Sequence, residues 1–198
     1  MNPFSHAKYY AKKKFLKLFG GEIRIFDESR SNLLFFVKQK AFRLKEDISV
    51  FSDESMQKEL MKISARNIID LSATYDVTDA TNGQKVGALK RKGLASVLVM
   101  DQWEILDPSD RPIALINEDN WMLALVRRYL SNLIPQTYKI YFGNSANSAA
   151  LVGLLKQTFN PFIAQFNIDF TADTQNRLDR RLGIASVILL QIIEGRQQ

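Results

Sequence analysis

Cysteine is absent from the 198 residues, and histidine occurs once, at His6. Without those side chains the chain cannot build a Cys/His zinc site, a disulfide framework, a thiol nucleophile or a redox pair. A Ser-His-Asp triad would have to draw its imidazole from the first few residues, which read as a tail, whereas the mechanism needs a base held in one orientation. No run of 18 apolar residues exists, and the N-terminus lacks the charged region, apolar run and small-residue cleavage site of a secretory signal. The most apolar stretch, Leu182 to Ile193, would be about 18 Å long as a helix, against roughly 30 Å of bilayer hydrocarbon. These absences predict a cytoplasmic chain, free or peripheral at a membrane, with no transmembrane span.

What is present is a composition of 46% apolar and 24% charged residues, that of a globular protein with one sizeable core. Net charge is +6, and residues 1–20 hold Lys8, Lys12, Lys13, Lys14 and Lys17 with no acid, so the remainder is almost neutral. A second basic cluster, Lys85, Lys90, Arg91 and Lys92, has no acid between its ends. Both clusters are candidates for phosphate contact on lipid headgroups or nucleic acid. Solvated strand faces, whose lysines discourage edge pairing, are the plainer reading. Phe4, Tyr9, Tyr10, Phe15 and Phe19 interleave with the first cluster, as suits a headgroup interface. Its lysines spread too widely around a helical wheel for an amphipathic helix.

Self-similarity is the most informative signal. Tyr9 to Leu18 followed by Glu22 to Glu28 recurs as Phe35 to Leu44 followed by Asp47 to Asp53. In each copy an alternating segment, with Lys12 and Lys14 or Lys38 and Lys40 on one face, leads to a second alternating segment that ends in an acidic turn. Period-two alternation predicts a strand pair per copy. Further alternating segments lie at 60–66, 73–78, 86–92, 102–107 and 113–119. Asn82-Gly83 and Asp107-Pro108-Ser109-Asp110 supply turn chemistry between them. The first 118 residues thus read as a continuous antiparallel meander.

Trp121, Met122, Leu125, Val126 and Leu130 predict an amphipathic helix at about 119–133, stopped by Pro135. Strands resume over 136–142, 150–159 and 162–170. Asp173-Thr174 supplies N-cap chemistry for a last helix from Gln175 to Glu194. From Leu182 onward that helix is apolar at nearly every angle, so it must be enclosed on all sides. In a chain otherwise made of strands, the lumen of a closed barrel is the cheapest enclosure, because closure also removes sheet edges. A membrane-inserted hairpin or an oligomer seam is the competing reading.

No catalytic constellation emerges. Glu118-Asp119 sits where strand gives way to helix and reads as turn and cap chemistry, and Gly83 and Gly87 lack phosphate-loop spacing. The chain is expected to be a non-enzyme with no metal site and no cofactor.

The paired Tyr-Ala-Lys-Lys-Lys and Phe-Val-Lys-Gln-Lys units, Tyr75-Asp76-Val77 with Asn82 to Gly87, the Trp103 to Asp107 strand and the terminal Arg180 to Glu194 segment together resemble the tubby C-terminal-like superfamily. Within it the pattern is most similar to the LURP-one-related branch, whose other relatives include phospholipid scramblases. The resemblance covers about Tyr9 to Gly195 and implies a 12-stranded barrel wrapped around a central C-terminal helix. It implies phosphoinositide tethering by analogy with tubby proteins and lipid handling by analogy with scramblases, while the LURP-one-related branch implies no fixed chemistry. The cysteine-rich segment of scramblases is missing, which excludes palmitoyl anchoring through cysteine. Their acidic calcium segment corresponds at best to Asp169 and Asp173, too few oxygens for calcium.

The expectation is therefore a tail at 1–7 and one barrel domain over 8–198, associating with lipid or phosphoinositide through Lys85, Lys90, Arg91 and Lys92, supported by Lys38 and Lys40. A protein-interaction scaffold and a carrier of a small apolar ligand between barrel and helix are the alternatives. Nucleic acid is the weakest partner.

Overall fold

Alternation in the N-terminal segment resolves into two faces of one wall. In β1 (Lys8–Leu16) Tyr9, Ala11 and Lys13 are buried, while Lys12 and Lys14 face outward. The same parity recurs through β2 (Gly20–Asp27), β3 (Leu33–Gln39), β4 (Ile48–Phe51), β5 (Glu59–Asn67) and β6 (Thr74–Asp79). The wall continues through β7 (Lys85–Lys92), β8 (Gln102–Leu106), β9 (Pro112–Glu118), β10 (Thr137–Phe142), β11 (Ala150–Thr158) and β12 (Ala164–Asp169), with runs of adjacent buried residues interrupting the alternation in β7 and β11. This computed structural model describes residues 2–16, 20–39, 47–67, 73–92, 102–118, 135–143, 149–158 and 163–194.

Each strand pairs antiparallel with its sequence neighbours, and β1 pairs with β12, from Lys8↔Asp169 to Lys13↔Ala164, to close a twelve-stranded barrel. The turn signals act as their chemistry requires. Gly83 takes φ 72° in the β6–β7 turn, and the Asp107 carbonyl accepts from the Asp110 amide at 3.0 Å in the β8–β9 turn. The predicted meander is the whole barrel rather than its first 118 residues, because β10 to β12 continue it.

The lumen holds α1 (Arg180–Glu194), in which every residue from Leu182 to Ile192 is buried. One wedge fixes the helix against the wall. Phe170 is 1% exposed, and a Cβ added to Gly153 of β11 or Gly183 of α1 would come within 3.0 and 2.6 Å of its ring. Both glycines are there for close approach. Among the described residues no helix is long and apolar enough to cross a membrane. The barrel is apolar within and carries Lys, Arg, Asp and Glu outside, the reverse of a transmembrane barrel.

Two helical expectations come out differently. The last helix begins at Arg180, not Gln175. Asp173 spends its carboxylate on the Arg177 and Leu178 amides at 2.9 and 3.1 Å, folding 173–178 into turns with Asn176 at φ 50°. Asp179 is the true cap, accepting the Arg181 amide at 2.9 Å. The helix expected at 119–133 lies outside the described residues. Ahead of β1, a 3-10 turn at Pro3–Ser5 brings Phe4 onto Phe35, with ring centroids 4.9 Å apart, and Phe170 donates its amide to the Ala7 carbonyl at 2.7 Å.

Candidate functional site

The lumen is filled by the chain's own helix, so the sequence-derived basic residues matter through where they stand on the wall. β7 divides its cluster by parity and by partner. Arg91 lies opposite Trp103 in register, shares the buried parity of Leu89 and is itself half-buried. Lys90 and Lys92 occupy the outward parity, both exposed. Lys92 is paired with Glu104 of β8 at 2.9 Å, while Lys90 makes no ion pair among the described residues.

Lys85, at the other end of β7, is held in a network. Its ammonium lies 2.7 Å from Asp110 and 3.4 Å from Asp76. Arg66 of β5 joins both carboxylates, with its Nε donating to Asp76 at 2.9 Å and its Nη2 to Asp110 at 2.9 Å. Hydrogen bonds from Arg66 and then Lys85 draw the Asp110 carboxyl from 3.8 down to about 2, and Arg66 foremost lowers Asp76. Both groups are depressed in the fold, so their contribution is present above the unfolded value and lost as pH falls through the folded one. The melting temperature should therefore stay level from neutral pH to about pH 4 and fall between about pH 4 and 2, and the Arg66→Met variant should show a shallower fall. An identical acid limb in the variant would remove the network from the cause.

Lys38 is exposed near the end of β3, opposite Glu22 in register. Strands β4, β5 and β6 separate β3 from β7, so four interstrand steps, roughly 19 Å of wall, part Lys38 from the β7 cluster. They do not form one patch. Lys40 lies outside the described residues.

Two features escaped the sequence reading. Lys13, 4% exposed, points into the lumen and donates from Nζ to the Gln191 carbonyl at 2.7 Å. A cation thereby satisfies a carbonyl at the negative end of the α1 dipole. At the opposite end of α1 a cleft of about 670 Å3 opens beside Phe4, Leu60 and Leu178. Its arginines are already engaged: Arg181 bonds Asp79 at 2.7 Å and Asp179 at 2.6 Å, and Arg180 bonds the buried Asp173 at 2.9 Å. Burial alone would raise the Asp173 carboxyl, but the Arg177 amide, the Arg180 guanidinium and the Leu178 amide outweigh it and lower it. Asp173 thus serves the fold's internal pairing, and Asp169 caps the Thr171 amide at 2.8 Å.

A family model described as LURP-one-related matches residues 33–190. No curated protein and no solved structure matches the chain.

Proposed function

The chain belongs to the LURP-one-related family, and from that premise we propose that it is a non-enzymatic barrel module associating with anionic lipid headgroups, phosphoinositides among them, through the outside of its wall. The observation that carries this reading is the occupied lumen. With Leu182 to Ile192 filling the interior, recognition falls to the exterior, where the surplus positive charge is carried. Of the residues singled out by sequence, Lys38, Lys90 and Lys92 are exposed. Lys85 is taken up by Asp76 and Asp110.

The scaffold reading draws less support from the surface. A stable protein interface usually has an apolar centre, and the large apolar side chains exposed among the described residues are Met56 and Leu151.

Co-sedimentation with vesicles tests the proposal. Binding to phosphatidylserine-containing vesicles should be clear at about 0.1 M salt and lost near 1 M, as the screening length shrinks from about 10 to about 3 Å. Vesicles of phosphatidylcholine alone should not bind. Failure to bind anionic vesicles at low salt, or equal binding to neutral ones, would refute it.

A further inference from the structure

The outer wall is electrically lopsided. On the β5–β8 side most cations meet acids, the exposed Lys90 being the exception. Lys62 pairs with Asp47 at 2.5 Å, Arg66 and Lys85 share Asp76 and Asp110, and Lys92 takes Glu104. The side formed by β11, β12, β1, β2 and β3 is different. Arg24 is held by Glu22 at 2.8 Å and Glu54 at 2.6 Å, and Lys8 by Glu28 at 2.9 Å. Lys12, Lys14, Lys38 and Lys156 make no ion pair among the described residues, and the last two and Lys14 are exposed.

Register joins these four into one field. Lys14, Glu22 and Lys38 lie level across β1, β2 and β3. Lys156, Asn167 and Tyr10 lie level across β11, β12 and β1, and Lys12 stands between the two rows, opposite Gln165 and Arg24. Cations two strands apart are roughly 10 Å from each other, and Lys12 and Lys14 about 7 Å. The wall is convex, so their side chains splay apart rather than converge. A site that grips one polyphosphate headgroup is concave with convergent donors. This surface has the opposite curvature.

The aromatic rings of the same face are covered. Arg30 lies 4.1 Å from the Tyr10 centroid, Lys12 4.8 Å from Phe26 and Arg24 5.2 Å from Phe36. Single-stranded nucleic acid needs open rings on which bases stack, and these are capped by cations.

We infer that the β11–β12–β1–β2–β3 face, and not the β7 cluster, is the docking surface, and that it reads the density of negative charge on a lipid surface rather than the identity of a headgroup. The inference rests on the lipid reading above and narrows it.

Vesicles containing phosphatidylserine or phosphatidylinositol bisphosphate, matched for surface charge, should bind the protein equally. Replacing Lys12, Lys14 and Lys156 together by Gln should weaken binding about fivefold per residue, roughly 100-fold in all. The triple Arg variant should keep binding, which separates charge from folding, and circular dichroism should be unchanged in both. The Lys90→Gln/Lys92→Gln variant should bind as the parent does. Tighter binding to the phosphoinositide at matched charge, or loss confined to the β7 variant, would overturn the inference and leave the lipid reading standing. Absence of binding to every anionic vesicle, or preference for a single-stranded oligonucleotide over vesicles, would overturn both.

Discussion

Aspartate placed singly at Ile188, Leu189 or Leu190 should leave the chain unable to fold. The three positions point in directions about 100° apart around α1, and they are 0%, 1% and 2% exposed. Each change forfeits about 2–3 kcal/mol of side-chain burial. It also forces a carboxyl into an apolar lumen, where it can persist only protonated. A raised pKa of about 3–5 units costs a further 4–7 kcal/mol or so at neutral pH. The total rivals the roughly 5–15 kcal/mol that holds a whole domain together. Ile188→Val, which deletes one methyl group, should cost only about 0.5–1.5 kcal/mol. Near-ultraviolet dichroism and urea unfolding measure both. A folded, cooperative protein with aspartate at any one of the three would mean that side of the helix is open to water, contrary to the enclosed arrangement.

The second large effect is expected at Asp173→Ala. Its side chain is fully buried and its partner Arg180 is 11% exposed, so removing the carboxylate takes away the guanidinium's counter-charge, leaving it the neutral Leu178 carbonyl and Asn176 Oδ1, and frees two amides in one step. Breaking a buried pair from one side costs about 3–5 kcal/mol, whereas a solvent-screened pair such as Lys8–Glu28 contributes far less. Asp173→Asn keeps one acceptor oxygen, enough for the Arg177 amide or for the Leu178 amide with Arg180 but not for both sides, and should lose less than the alanine. Urea midpoints for the two variants and for Lys8→Ala rank the three sites. A loss below about 1 kcal/mol for Asp173→Ala would show that Arg180 finds another partner or reaches water.

Much of this arrangement was legible because strand parity is a local property. The repeat of Tyr9–Glu28 in Phe35–Asp53 placed β1 to β4, and the all-round apolar character of Leu182 to Ile193 demanded enclosure. Parity also held information that a count of basic residues passes over. If Lys12 and Lys14 face out, Lys13 faces in; if Lys90 and Lys92 face out, Arg91 does not. What parity cannot supply is the partner. Lys13 meets a carbonyl 178 positions away, and Lys85 is neutralised by Asp110, 25 positions on. A charge run shows neither. The helix opens at Arg180 rather than Gln175 for a local reason, since Asp173 and Asp179 both carry cap chemistry and only the turn between them decides which one opens the helix.

The seam between β1 and β12 governs how the molecule can be made. A ribosome delivers the N-terminal strand first and its mate nearly last, and the core-filling rod after both. Throughout synthesis the growing sheet is a gutter with a bare greasy floor and two unsatisfied margins. That state is slow to resolve, because its decisive pairing spans almost the full sequence, and it invites association between nascent copies. Yield in a cell should accordingly depend on holding chaperones far more than the finished cylinder would suggest.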